Sequence, residues 1–245
     1  MAGRAWLNEA GGLRYHARAF AAGKLWAPFR KALAKWLTSF ELSEQVILVG
    51  PSAAHCLPDA FFRRFTRVIA LEPDPIAGFL LRRRFVRLEL AEPRIERTDL
   101  LLRPLVDGRA GLAELMAQER NASVVFCNVL GQTHFLLPDA EFTHFKAGFS
   151  ERILPALAGR GWLSFHDRFS SELAPSFSAP LPTSARLSDE AVLRELYGSA
   201  ERRGELLDHD TTGLFPTTLP HAYFDWEISR GFHHLIEGVG ESRKP

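Results

Sequence analysis

The chain has 245 residues, 46% of them hydrophobic and 24% charged, with a formal net charge of +1. That balance fits one globular domain with a large core; it excludes a disordered chain and gives no basis for nucleic-acid binding. Two cysteines, Cys56 and Cys127, without CxxC spacing argue against a disulfide framework and a structural zinc site.

Residues 1–42 are expected to form a helical extension, because Leu25, Phe29, Leu33, Trp36, Leu37 and Phe40 recur at helical spacing between basic residues. The first twenty residues lack the apolar core of a signal peptide, and no apolar run reaches membrane-span length, so the expectation is a cytoplasmic protein with no membrane partner. Residues 45–50 then form a short, continuous apolar run, the pattern of a strand buried on both faces of a parallel sheet. Residues 67–72, 94–99 and 122–128 repeat it, separated by helical stretches around 58–65, 74–85 and 109–119. Arg82, Arg83 and Arg84 read as a solvated helix end. A longer helix is predicted over 139–158, with Asp139 placed to cap it, and a fifth strand over 161–166.

Residues 169–220, rich in proline, serine and threonine, are expected to be an insertion or lid with one helix near 188–197 capped by Ser188. Two strand-like runs, 223–229 and 232–239, meet across Arg230 and Gly231 as a hairpin. The prediction is a single α/β domain: a doubly wound, mostly parallel seven-stranded sheet, closed by a C-terminal antiparallel hairpin over 221–240 and preceded by the N-terminal helical segment. Residues 45–168 would form its nucleotide-binding core.

In such a sheet ligands bind beyond the carboxyl ends of the strands. The turn after the first strand, Gly50-Pro51-Ser52-Ala53-Ala54, is rich in small residues that let backbone approach a ligand. The second strand ends in Glu72, whose carboxylate can accept both hydroxyls of a ribose. This pairing resembles motifs I and II of the class I S-adenosylmethionine-dependent methyltransferases, over roughly residues 46–166. The family's usual GxGxG stands here as Gly50, Ser52 and Ala54.

The resemblance implies S-adenosylmethionine as cofactor, held by Gly50, Ser52, Ala53, Glu72 and Asp99, and a small-molecule methyl acceptor. Asn128, after the fourth strand, could orient a substrate amine or hydrogen-bond the loop backbone. His166 and Asp167 fall on the same rim, where a histidine could act as general base. No ligand pair with strong spacing points to a metal, although His166 and Asp167 could contribute to one. His209, His233 and His234 read as structural, and Cys56 as a thiol at a helix start. Glu237, inside an apolar run, requires a partner.

The substituted glycine loop also motivates a methyltransferase-like protein without catalysis, acting as a binding or partner subunit, or as a homo-oligomer. A nicotinamide-dependent oxidoreductase is disfavoured by the hairpin and by the missing GxGxxG.

Overall fold

The computed structural model describes residues 12–243; the part of the predicted helical extension that falls on 1–11 lies outside the described residues. Two helices lead in, α1 (Gly12–Ala21) and α2 (Ala27–Leu37), followed by β1 (Gln45–Val49), α3 (Asp59–Phe62), β2 (Arg67–Leu71), α4 (Pro75–Arg87) and β3 (Arg94–Glu96). The chain continues through α5 (Leu102–Val106), α6 (Leu112–Gln118) and β4 (Ser123–Cys127). The long crossover to β5 (Trp162–Ser171) carries α7 (Thr133–Leu136), α8 (Asp139–Gly148) and α9 (Leu154–Leu157). Then come β6 (Leu181–Thr183), α10 (Asp189–Tyr197), β7 (Leu207–Asp208) and the hairpin of β8 (His221–Ser229) and β9 (Phe232–Glu241).

The strands form one sheet in the order β3-β2-β1-β4-β5-β9-β8-β6, with β7 also pairing with β5. The first five are parallel, and β9 returns antiparallel between β5 and β8. This is the methyltransferase-like doubly wound fold that the sequence pattern predicts. The predicted seven strands lie side by side, the short β6 extends the sheet beyond β8, and β7 pairs with β5 off that path. β1 and β4 are buried along nearly their whole length, which is why they read as unbroken apolar runs.

Each face of the sheet has its own core. On one, α2 covers the hairpin, with Phe29 stacked on Trp226 at 4.9 Å and Leu33 and Leu37 inaccessible. On the other, Phe145, Phe149 and Ile153 of the long crossover pack with Phe126 and Phe215. Asp139 is the first helical residue of α8 rather than its cap; Pro138 holds that position without a side-chain bond. Ser188 does cap α10, accepting from the Ala191 amide.

Two stretches differ from the sequence pattern. β5 does not end at His166 but runs to Ser171, buried throughout, because tertiary partners satisfy its polar residues. The 169–220 segment is more than a loose lid: Val192, Leu193, Leu196 and Leu206 pack with Phe169, Tyr223 and Leu235 in a third buried cluster. No helix of the described residues is long and apolar enough to cross a membrane.

Candidate functional site

Register brings the first two site residues together. Val49 pairs with Leu71, so the next residue of each strand, Gly50 and Glu72, emerges at the same sheet edge. Gly50 has φ +63°, and a Cβ there would lie 2.6 Å from the Val129 Cβ, so both conformation and space demand glycine. Ser52 and Ala54 also hold positive φ, +52° and +56°. The loop therefore keeps left-handed backbone at all three glycine positions of the family pattern, although two of them carry side chains.

Glu72 is buried, and each of its oxygens receives one backbone amide: Ser52 N–H donates to Oε2 at 2.6 Å and Asp74 N–H to Oε1 at 3.0 Å. Burial pushes its carboxyl up to about 7, with the two amide bonds opposing that shift. The loop's carbonyls are gripped from α4. Arg84 donates to Ala54 O at 2.5 Å and Leu57 O at 2.6 Å, while its Nε holds Asp59. This corrects the reading of Arg84 as solvated. Its side chain is only 16% exposed and shapes the site.

A small cleft of about 30 Å³ lies over this loop, lined by Gly50, Pro51, Ser52 and Ala54, by Cys127 and Asn128 at the end of β4, by Phe165, and by Trp226 of the hairpin. Tyr15 of α1 forms part of its wall. α1 is held down through His16, whose Nε2 lies 3.2 Å from Asp74 Oδ2 and whose Nδ1 lies 3.0 Å from His55 Nε2. Burial, followed by the charges of His16, Arg84 and Arg30, lowers His55 to about 4. Cys56 is buried beside Tyr15, and burial pushes its thiol up to about 12, so it is no nucleophile in this state. Ala53 is buried and, like Glu72, stands behind the cleft wall.

Asp99 does something other than face the cleft. Its carboxylate accepts from the amides of Leu101, Leu102 and Arg103 at 2.8–2.9 Å, fixing the start of α5. His166 is likewise turned away from Asp167 by strand alternation. It is 2% exposed, lies 2.9 Å from Ser164 Oγ and stacks on Phe215, and burial lowers it to about 4. A base so enclosed has no route to an acceptor in the cleft.

Asn128 and Asp167 are brought together. Asn128, at φ +60°, donates from Nδ2 to Asp167 Oδ2 at 3.0 Å and accepts the Asp167 amide on Oδ1 at 2.7 Å. Gln132 also donates to Oδ2. His234 Nδ1 stands 2.9 Å from Oδ1, and His209 Nδ1 lies 3.9 Å from Oδ2. Burial opposes ionisation of Asp167, but His234, His209 and Asn128 together hold it at about 2. Sequence reasoning missed His209 and His234 as site residues, since 67 positions separate His234 from Asp167. The β5–β9 ladder brings His234 to Asp167, and the β5–β7 pairing carries His209 there.

No family model matches the sequence, and no curated protein matches it significantly. Among solved structures, it is similar to the N-methyltransferase NodS from Bradyrhizobium japonicum WM9, at 15% identity over 93% of this chain and 96% of that one, with a TM-score of 0.42. It is also similar to magnesium protoporphyrin IX methyltransferase (ChlM) from Synechocystis PCC 6803, solved with bound SAM, at 14% identity, 98% and 89% coverage and TM-score 0.42. A SAM-dependent methyltransferase from Aquifex aeolicus gives 14% identity, 91% and 96% coverage and TM-score 0.41. The fold itself is identified by strand order and register: a methyltransferase-like doubly wound sheet closed by an antiparallel hairpin.

Proposed function

We propose that the chain binds S-adenosylmethionine at the Gly50 loop and transfers its methyl group to a small-molecule acceptor. The observation that carries this reading is the left-handed backbone at Gly50, Ser52 and Ala54, kept at the cost of strain at two residues that are not glycine. Strain of that kind persists where the surrounding structure requires the loop's shape, and here Arg84 and Glu72 hold it from both sides.

The residues fit the cofactor's chemistry. Each Glu72 oxygen holds one amide, and a carboxylate has about four lone-pair sites, which leaves capacity for two ribose hydroxyls. Ser52 would lie against the cofactor through its backbone, and Ala53, buried behind the cleft wall, would shape the loop from within. The bound cofactor supplies an electrophilic methyl on a sulfonium. Asn128 lines the cleft with one amide hydrogen committed to Asp167 and the other available to an acceptor. Locking by Asp167 fixes its direction, so its contribution is positioning. A cleft of about 30 Å³ is far smaller than small-molecule sites, roughly 300 Å³ and above, so α1 and the loop must give way for the cofactor to enter.

A second reading, a methyltransferase-like binding or partner subunit without catalysis, is favoured by one observation: Glu72 sits behind the loop with both oxygens already engaged. Isothermal titration with S-adenosylmethionine and S-adenosylhomocysteine, on the parent chain and on Glu72→Ala, separates the two. Binding that weakens at least tenfold in the variant supports the enzyme; absence of heat with both ligands overturns it.

A further inference from the structure

We infer that Asp167, His209 and His234 form a binding site for one divalent transition-metal ion of the zinc class, beside the acceptor end of the cleft. Three elements converge there: β5 supplies Asp167, β9 supplies His234, and the chain just after β7 supplies His209. Each offers one ligand atom, and the three atoms lie within 4.8 Å of one another. Asp167 is fully enclosed, His209 is 3% exposed, and the His234 side chain is 12% exposed.

Charge supports a cation here. A carboxylate taken wholly out of water needs a counter-charge, and the ion pairs made by Asp167 are with imidazoles rather than with a lysine or arginine. Its remaining polar neighbours, the Asn128 and Gln132 amides and its own backbone, are neutral. A divalent ion bound by one carboxylate and two neutral imidazoles would compensate Asp167 in place of charged imidazoles. Two nitrogens and one oxygen suit zinc, cobalt or iron, whereas magnesium and calcium take oxygen ligands.

Outer partners are also in place. With its Nδ1 on a metal, His209 needs its proton on Nε2, and Ser170 Oγ lies 3.0 Å from that nitrogen, ready to accept it. The present Nδ1 contact with Gly131 O, at 2.6 Å, would be given up, bringing that carbonyl next to the ion. Asn128 and Gln132 hold the second carboxylate oxygen, as metal-bound carboxylates are commonly held. A register shift between Asp167 and Phe169 in the β5–β9 ladder gives β5 the local freedom to aim Asp167 at the histidines. Three protein ligands leave a tetrahedral ion one open position, suited to water or an acceptor oxygen.

The test needs no acceptor and no methyl transfer. The full chain is dialysed against chelator and titrated with Co²⁺, followed by its visible d–d absorption, then challenged with Zn²⁺. The expected result is one Co²⁺ per chain, displaced by one Zn²⁺. Affinity should fall about 10- to 100-fold in Asn128→Ala, which removes an outer partner, and further in His209→Ala and His234→Ala. His234→Gln, closer in shape to the parent, is the companion should His234→Ala melt early by circular dichroism. His233→Ala should leave affinity unchanged, because His233 pairs with Asp225 instead. Absence of stoichiometric Co²⁺ or Zn²⁺ binding by the parent chain overturns the proposal. So does binding that survives the combined His209→Ala and His234→Gln changes in a folded protein.

Discussion

Ser52 and Ala54 hold φ values near +50° to +60°, where an L-residue's Cβ crowds the following carbonyl at a cost of about 1–2 kcal/mol. Ser52→Gly removes that strain and adds unfolded-state entropy of about 0.5–1 kcal/mol, for a net gain of up to about 1 kcal/mol. A thermal melt should rise by about 2–4 °C per kcal/mol gained, and an unchanged or lower midpoint would show that no strain is stored there. Glu72 makes a second residue-scale prediction. Its folded-state carboxyl titrates at about 7 against an ordinary value of 4.5, so across that window the folded chain holds a proton that the unfolded chain releases. The site's contribution to stability is therefore full below pH 4.5 and lost as the pH rises through 7. Ribose hydroxyls donate to the ionised form, which gives binding the opposite dependence. Cofactor affinity should strengthen about tenfold per unit as the pH rises toward 7 and level off above it, and a flat titration profile would remove Glu72 from the ribose site. At this scale the sequence was legible where a residue's partner is its neighbour in a predicted strand pair, as with Gly50 and Glu72. It was misleading where a polar side chain serves its own backbone, as Asp99 does.

Helix α1 is the element that closes the cleft. It exposes Leu13 and Phe20, and His16 is its polar attachment to Asp74 and His55. His16→Ala removes two hydrogen bonds worth roughly 1 kcal/mol each, so hydrogen exchange of the α1 amides should accelerate about tenfold or more while β1 and β4 keep their protection. Equal rates in parent and variant would mean that His16 does not hold the helix in place. Most elements were legible because their periodicity is local: α2 by apolar residues at helical spacing, β1, β2 and β4 by unbroken apolar runs, the hairpin by Arg230-Gly231 with Gly231 at φ +72°. The C-terminal half of β5 was not. His166, Asp167, Arg168, Ser170 and Ser171 look like a solvated rim, but all are buried. Their hydrogen-bonding groups are met by residues far along the chain, and no local pattern encodes that.

Across the whole molecule, a buried ion network ties the 169–220 segment to the hairpin. Glu237 of β9 is 1% exposed; Arg186 Nε stands 3.0 Å from it, His221 Nε2 3.1 Å and Arg168 Nη1 3.6 Å. Arg168 reaches on to Asp189 and to the Tyr223 hydroxyl. Glu237→Ala would leave Arg186 and His221 without their carboxylate, while Arg168 keeps Asp189, and should cost about 3 kcal/mol in urea unfolding; a loss under about 1 kcal/mol would show that water reaches the network. The need for a partner at Glu237 follows from sequence alone, since a carboxylate inside an apolar run must be compensated. The identity of that partner does not.

By itself the sequence determined the layer architecture, the mostly parallel sheet with its closing hairpin and the meeting of Gly50 with Glu72, because apolar periodicity and parallel register act between neighbours. Only the tertiary structure decided that Ser52 and Ala54 keep the glycine conformation, that Arg84 faces inward, and that Asp167 meets His209 and His234. Those contacts join segments separated by up to 67 positions, and their energy comes from burial and charge compensation that exist only once the sheet has closed.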